Sequence, residues 1–289
     1  MLNSIKSEYN QTSSQQDDEL CQNLDDLKQN SEWILGIFEA GRGPLIGPII
    51  ITGCFWPIQN HNYIVKQCSL SLNKQFYQNQ TESSEIIFKL KGKALQFETI
   101  EISAQKLSTK ILAYTPSDVN EISIKYTLKL IKQIISSGYK IRECYINPIG
   151  FKDNLNDLYK KELNLQNDEL KFIVGMHQTI IAAQIVALQE RNIKLQQIQQ
   201  EIYPYGQMGS GYSSDKLTRE FLSKVSIPVF IYPKEIRFAW QTTNATFKEK
   251  AITIEYLSEQ NRMKQTKEQF IENPSILEYG ELQFENYNL

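Results

Sequence analysis

A lone carboxylate beside a glycine-rich turn is the feature of this chain that points most clearly to chemistry. Glu39 closes the apolar run Trp33-Ile34-Leu35-Gly36-Ile37-Phe38 and is followed, after Ala40, by Gly41-Arg42-Gly43-Pro44. Glycines spaced in this way let a backbone approach a ligand closely, because no Cβ stands in the path. A second loop of small residues, Gly209-Ser210-Gly211-Tyr212-Ser213-Ser214-Asp215, carries one aromatic ring. A third block, Pro228-Val229-Phe230-Ile231-Tyr232-Pro233 running into Ile236-Arg237-Phe238-Ala239-Trp240, reads as core aromatics at a domain seam that hold the C-terminal helices on. Residues for other chemistries are scarce. The two histidines, His61 and His177, nearly exclude an imidazole-rich metal site, and the four cysteines, Cys21, Cys54, Cys68 and Cys144, show no zinc-ligand spacing. His177 has the position for acid–base work, but a single histidine beside an apolar helix more commonly packs. Lys125, Lys129 and Lys132 share a helix face, and Lys89, Lys91 and Lys93 form a second basic run. Both could track a sugar–phosphate backbone; a solvated face is the plainer reading.

The elements that must position these residues follow from apolar periodicity and from breakers. Residues 1–31 are polar, rich in Gln, Asn, Ser and acids, and read as a flexible segment with room for a short helix over 17–28. Strands are expected over Trp33–Phe38, Gly47–Trp56, Gln96–Ala104, Arg142–Ile146 and Leu170–Val174. Helices are expected over Glu85–Lys93, Val119–Ser137, Gln178–Arg191, Lys216–Val225 and Thr242 to about Phe270. Strands first, then alternation, then a helical tail give an α/β domain over 32–215 and a C-terminal helical subdomain over 216–289. The 41% apolar share supports a buried core, and a formal net charge of −2 argues against a strongly basic nucleic-acid binder. The most apolar stretch, Leu45 to Trp56, is too short to span a bilayer, so a soluble intracellular protein is expected.

Three blocks, in order, resemble the type 2 ribonuclease H family, in its eukaryotic catalytic-subunit form. The family's first strand ends in Asp-Glu-Ala-Gly-Arg-Gly-Pro, matched here from Phe38 to Pro44. Its Gly-Ser-Gly-Tyr-Pro-Asn-Asp matches Gly209 to Asp215, and its Pro-Val-Phe-Gly-Phe-Pro and Val-Arg-Phe-Ser-Trp match the block from Pro228 to Trp240. The resemblance implies a ribonuclease H-like mixed sheet flanked by helices. It also implies that Gly41, Arg42 and Gly43 sense the 2′-hydroxyl of a ribonucleotide embedded in a duplex, and that Tyr212 packs on the sugar at the RNA–DNA junction. The family's lysine-bearing Asp-Ser-Lys survives as Leu72-Asn73-Lys74.

The chemistry that the resemblance implies is two-metal hydrolysis of the RNA strand, with magnesium or manganese held by four carboxylates. Only one of the four remains. The first Asp falls on Phe38, with Glu39 retained; the Asp of the family's Val-Asp-Thr-Val-Gly falls on Asn147; and the last falls near Val174. No Asp or Glu lies between Leu170 and Gln189, so slippage of the alignment does not restore the last ligand. Relocation of the site is disfavoured because Glu143 is expected to face away from Asn147's end of its strand or to sit beyond its start, and Asp153, Asp157, Asp168 and Glu169 are expected in loops or a peripheral helix. The expectation is a catalytically degenerate homologue with no metal. It would be retained for assembly, joined to accessory subunits through its C-terminal helices, with a surface for RNA–DNA hybrid. An active hybrid-cleaving ribonuclease using Mg2+ or Mn2+ and a plain nucleic-acid-binding module are the alternatives. A nuclear location rests on the resemblance alone.

Overall fold

The computed structural model describes residues 24–70, 95–147, 155–163, 170–226 and 232–250, with the isolated positions 85, 87, 88 and 91. A five-stranded mixed sheet forms its centre, in the order β3-β2-β1-β4-β5. The strands are β1 (Trp33–Ala40), β2 (Ile49–Pro57), β3 (Gln96–Ile102), β4 (Ile141–Ile146) and β5 (Lys171–Val174). The β1–β2 and β2–β3 pairs are antiparallel, while β1–β4 and β4–β5 are parallel. Strands β1 and β2 are almost wholly buried, as their near-continuous apolar sequences require.

The helices are α1 (Leu24–Asn30), α2 (His61–Gln67), α3 (Ala104–Ile111), α4 (Val119–Ser136), α5 (Leu155–Glu162), α6 (Gln178–Ile202), α7 (Lys216–Val225) and α8 (Gln241–Lys250). On one face of the sheet Ile122, Leu130, Ile131 and Ile134 of α4 pack against Leu35, Ile37 and Ile51. On the other, Ile181, Ala182, Ala183, Ile185 and Val186 of α6 pack against Ile34, Cys54 and Trp56. Helix α6 lies so close to β1 that a Cβ on Gly36 would sit 2.3 Å from the Thr179 carbonyl carbon, so only glycine fits there. A third cluster joins Leu45, Ile46 and Ile198 to Phe221, Leu222, Tyr232 and Ile236, and the boundary read at 215/216 falls inside it.

Several expected bounds shift for local reasons. Strand β2 begins at Ile49 rather than Gly47, because Gly47 has φ of +81° and Pro48 has no N–H to give to a ladder. Strand β3 ends at Ile102 because the Ser103 side chain accepts from the Lys106 N–H and starts α3, which periodicity did not show; α2 was likewise unforeseen. The first helix spans Leu24–Asn30 rather than ending at Lys28. Helix α6 runs eleven residues past Arg191, since Leu195, Ile198 and Ile202 continue a helical apolar spacing that packs into the third cluster, between Gln residues with good helix propensity. Of the helix expected over 85–93, Glu85, Ile87 and Phe88 are described as helical and Lys91 in an isolated bridge to Leu95, and the tail helix is described as far as Lys250.

Candidate nucleic-acid interface

The parallel half of the sheet brings the ends of β1, β4 and β5 together. Ile37 pairs with Ile146 and Ile146 with Val174, so Phe38, Asn147 and Gly175 lie one step beyond that row. Strand ends far apart in the chain thus meet at one edge, where ligands sit in open α/β sheets. Alternation along β1 then splits its neighbours. Phe38 turns toward α6, half-buried against Ala40, Ile50 and Ala187. Glu39 turns toward α4, into a crevice lined by Ile37, Glu39, Arg42, Ser123, Thr127, Ile146 and Asn147. Its free space is about 20 Å³, room for roughly one water molecule.

Both oxygens of Glu39 are engaged. Arg42 Nε donates to Oε1 at 2.9 Å and Nη2 to Oε2 at 3.3 Å, and the Ser123 hydroxyl also donates to Oε2. Arg42 Nη1 donates to Asn120 Oδ1 at 2.6 Å. Asn120 and Ser123 occupy the first turns of α4, which Asp118 and Glu121 fix through a reciprocal capping box.

The turn after β1 is held from beneath by an arginine that the sequence disguised as part of an aromatic seam. Arg237, fully buried, donates through Nη2 to the Gly41 carbonyl at 2.7 Å, through Nη1 to that of Arg42 at 2.9 Å, and through Nε to that of Gly47 at 2.9 Å. Its guanidinium lies 4.7 Å from the Trp240 ring. Burial, and then the like charge of Arg191, lower its pKa to about 9, which keeps it protonated at neutral pH. Arg191 of α6 is 7% exposed, and burial lowers its pKa as well. Gly41, with φ of +88°, passes directly over it: a Cβ there would lie 2.5 Å from Arg191 Nε and 2.8 Å from the Pro48 carbonyl oxygen.

The Tyr212 loop meets the same turn. The Leu45 N–H donates to the Gly211 carbonyl at 2.7 Å, and a Cβ on Gly43 would touch Tyr212 Cε1 at 3.2 Å. The Tyr212 ring is thereby laid against the glycine turn while remaining half-exposed. Asp215 ties the loop together by accepting from the N–H groups of Ser210 at 2.6 Å and Leu217 at 2.9 Å, and the Ser210 bonds hold its carboxyl below the usual range. Gly41, Arg42, Gly43 and Tyr212, from two distant parts of the chain, therefore form one surface with Arg237 as its brace.

The sequence model of the family described as Ribonuclease HII matches residues 35–243. The chain belongs to the ribonuclease HII family. It is similar to the A subunit of ribonuclease H2 from Dictyostelium discoideum, 30% identical over 256 residues that cover 84% of this chain and 87% of that one. It is also similar to ribonuclease HII of Methanosphaera stadtmanae, at 32% identity, with 76% of this chain and 95% of the relative covered. The crystal structure of the ribonuclease H2 from Pyrococcus horikoshii OT3 superposes with a TM-score of 0.60 over 75% of this chain and 98% of that chain, at 19% identity. That likeness shows the fold.

The donor set at the sheet edge is poor in anionic oxygens. A pair of hard divalent ions wants several carboxylate oxygens to offset its charge. Here Glu39 is already bound to a guanidinium, Phe38 offers a ring, Asn147 a neutral amide, and Val174 a half-exposed isopropyl group. Among the described residues no cluster of three or more His, Cys, Asp or Glu side chains could hold a metal ion. These residues do not fit the metal pair that the family resemblance implies. Of the acids that could have moved in, Glu143 accepts from the Tyr145 hydroxyl at 2.7 Å, Asp157 lies on α5, and Asp153, Asp168 and Glu169 lie outside the described residues, as does Lys74.

His177 caps α6, its Nδ1 accepting from the Thr179 N–H at 3.3 Å, and its ring stacks between Tyr145 at 3.8 Å and His61 at 5.1 Å. Burial and the neighbouring His61 lower its pKa to about 4, so it stands neutral. Lys125, Lys129 and Lys132 are exposed on α4, as both readings of that stripe require. Sequence reasoning missed Asn120 and Ser123, which sit some eighty residues from Glu39 with nothing in the chain to mark them. Arg237 did carry a signal, a cation set inside an apolar aromatic run, because such a charge must find partners when buried.

Proposed function

We propose that this chain is a catalytically degenerate member of the ribonuclease HII family, kept for assembly with accessory subunits and retaining a surface for RNA–DNA hybrid. The observation that carries this reading is the Glu39–Arg42 ion pair, which already neutralises the one carboxylate of the crevice. A metal ion would have to displace a bidentate guanidinium and would gain a single anionic ligand in return. Meanwhile the half of the site that needs no metal, Gly41 to Gly43 with Tyr212 against it, has a built geometry in which buried Arg237 bonds to the turn and Arg191 packs beneath Gly41.

Assembly is supported by likeness to relatives that carry the name of one subunit of ribonuclease H2. It is supported too by the structural neighbour from Archaeoglobus fulgidus, a PCNA:RNase HII complex matched at TM-score 0.52 and 20% identity over 79% of this chain and 99% of that one. The face that would receive accessory subunits is the C-terminal helical region beginning with α8. No helix among the described residues is long and apolar enough to cross a membrane. The test is cleavage of labelled duplexes carrying an RNA strand or one embedded ribonucleotide, with Mg2+ or Mn2+. No cutting above a Glu39→Gln control is expected. Robust cutting that Glu39→Gln abolishes would establish the alternative, an active metal-dependent endoribonuclease.

A further inference from the structure

Arg42 presents five N–H donors in a rigid plane. Nε and one N–H of Nη2 go to Glu39 and one N–H of Nη1 goes to Asn120, which leaves one further N–H on each terminal nitrogen. The side chain is 26% exposed, against 14% for Glu39, so the guanidinium rather than the carboxylate is what an incoming ligand meets. Glu39 in turn cannot swing away, since Ser123 and Arg42 hold both of its oxygens. The pair therefore behaves as a fixed cationic fork mounted on a buried anion, at the strand edge where the family resemblance would set metal ions. Two free N–H donors on one guanidinium suit the oxygens of a phosphodiester. Beside the fork, the half-exposed Tyr212 ring leans on Gly43 and supplies a face for a sugar or base.

We infer that Glu39 is here the positioning residue of Arg42, and that the fork they form binds a backbone phosphodiester of an RNA–DNA duplex without any divalent ion. This rests on the degenerate-site reading and gives its one acid a function other than metal ligation. Freed from Glu39, Arg42 would remain a cation and still attract any nucleic acid, but it would lose the fixed direction of its donors. Glu39 should thus govern discrimination between duplexes more than raw affinity.

The experiment measures affinity of the full chain for a duplex with one RNA–DNA junction and for the all-DNA duplex of the same sequence. Both are titrated over a salt series, once with EDTA and once with Mg2+. Wild type is expected to prefer the junction equally in both. Arg42→Met should flatten the log–log salt dependence by about one phosphate contact. Glu39→Gln should reduce the junction preference by about threefold or more, roughly 0.7 kcal/mol, while affinity for plain DNA holds or rises. In the Arg42→Met background, Glu39→Gln should change nothing further, which a merely structural loss would not reproduce. Thermal midpoints within a degree or two of each other identify variants that are folded, and Glu39→Asp should restore part of the preference. Additive effects, with EDTA-insensitive binding, would overturn the inference while leaving the degenerate-site reading intact, and so would absence of any junction preference in wild type. Binding that requires Mg2+ and fails in Glu39→Gln would overturn both.

Discussion

Replacing Arg237 with methionine keeps most of the side-chain volume and removes three hydrogen bonds to the carbonyls of Gly41, Arg42 and Gly47. Hydrogen bonds from a charged donor contribute about 1.5–3 kcal/mol each, which would put the gross loss at roughly 4–9 kcal/mol. Two corrections reduce it. The Gly41 and Arg42 bonds are part-buried, so water can reach those carbonyls once the guanidinium is gone, and only the Gly47 bond is fully buried. Methionine also escapes the desolvation cost of a guanidinium that faces Arg191 rather than a bonded carboxylate. The net expectation is about 2–3 kcal/mol of destabilisation, or a fall in melting temperature of roughly 4–12 °C for a domain of this size. Lysine should fall between, because one ammonium on a flexible stem cannot span three carbonyls. Urea denaturation gives the free energy, and amide exchange at Leu45 and Gly47, whose N–H groups bond to Gly211 and Glu235, reports the turn itself. If Arg237→Met matches wild type within about 0.5 kcal/mol, desolvation outweighs the hydrogen bonds and the brace is not one. If stability falls but exchange at those amides does not quicken, the loss lies elsewhere.

Two other outcomes follow from the same geometry. Gly41→Ala combines a left-handed φ with a Cβ 2.8 Å from a backbone oxygen, and should cost about 2 kcal/mol or more by urea melt; a cost under about 0.5 kcal/mol would show the turn to be pliable. His177 titrates below its unfolded value of 6.5, so protonation favours the unfolded chain: its contribution is intact above that pH and is lost as pH falls toward about 4. Urea midpoints should drop between about pH 7.5 and pH 5 by less in His177→Asn, which keeps a cap without a titrating ring, than in wild type; equal drops would exclude His177 as the source.

The layers of the fold were legible in the chain because burial imposes periodicity. Trp33 to Phe38, Gln96 to Ile102 and the stretch starting at Val119 each carry the apolar pattern of the element they form, and the cap at Asp215 marks the start of α7. Bounds set by single backbone groups were harder to read. The end of α6 falls at Ile202, eleven residues beyond the expected Arg191, although Leu195, Ile198 and Ile202 continue the helical apolar spacing. At the site, the glycine turns were readable because φ above zero and close approach demand glycine, and Gly41, Gly209 and Gly211 all have positive φ, whereas Tyr212 stood out only through the family resemblance. What chain order could not supply was convergence: that Asn120 and Ser123 complete the environment of Glu39, and that Arg237 reaches under Gly41, are consequences of sheet order and helix packing.

The claim on which the rest depends, that the strand edge has lost its hold on paired divalent cations, is tested most directly by calorimetric titration of the full chain with Mn2+. A parallel titration uses the triple variant Phe38→Asp, Asn147→Asp, Val174→Asp, with circular dichroism to confirm that it folds despite the polar group set against the α6 packing at position 38. The expected result is no saturable binding by wild type at submillimolar Mn2+, and recovered binding in the folded triple variant. Two ions taken up by the unmodified chain, and lost on Glu39→Gln, would contradict it.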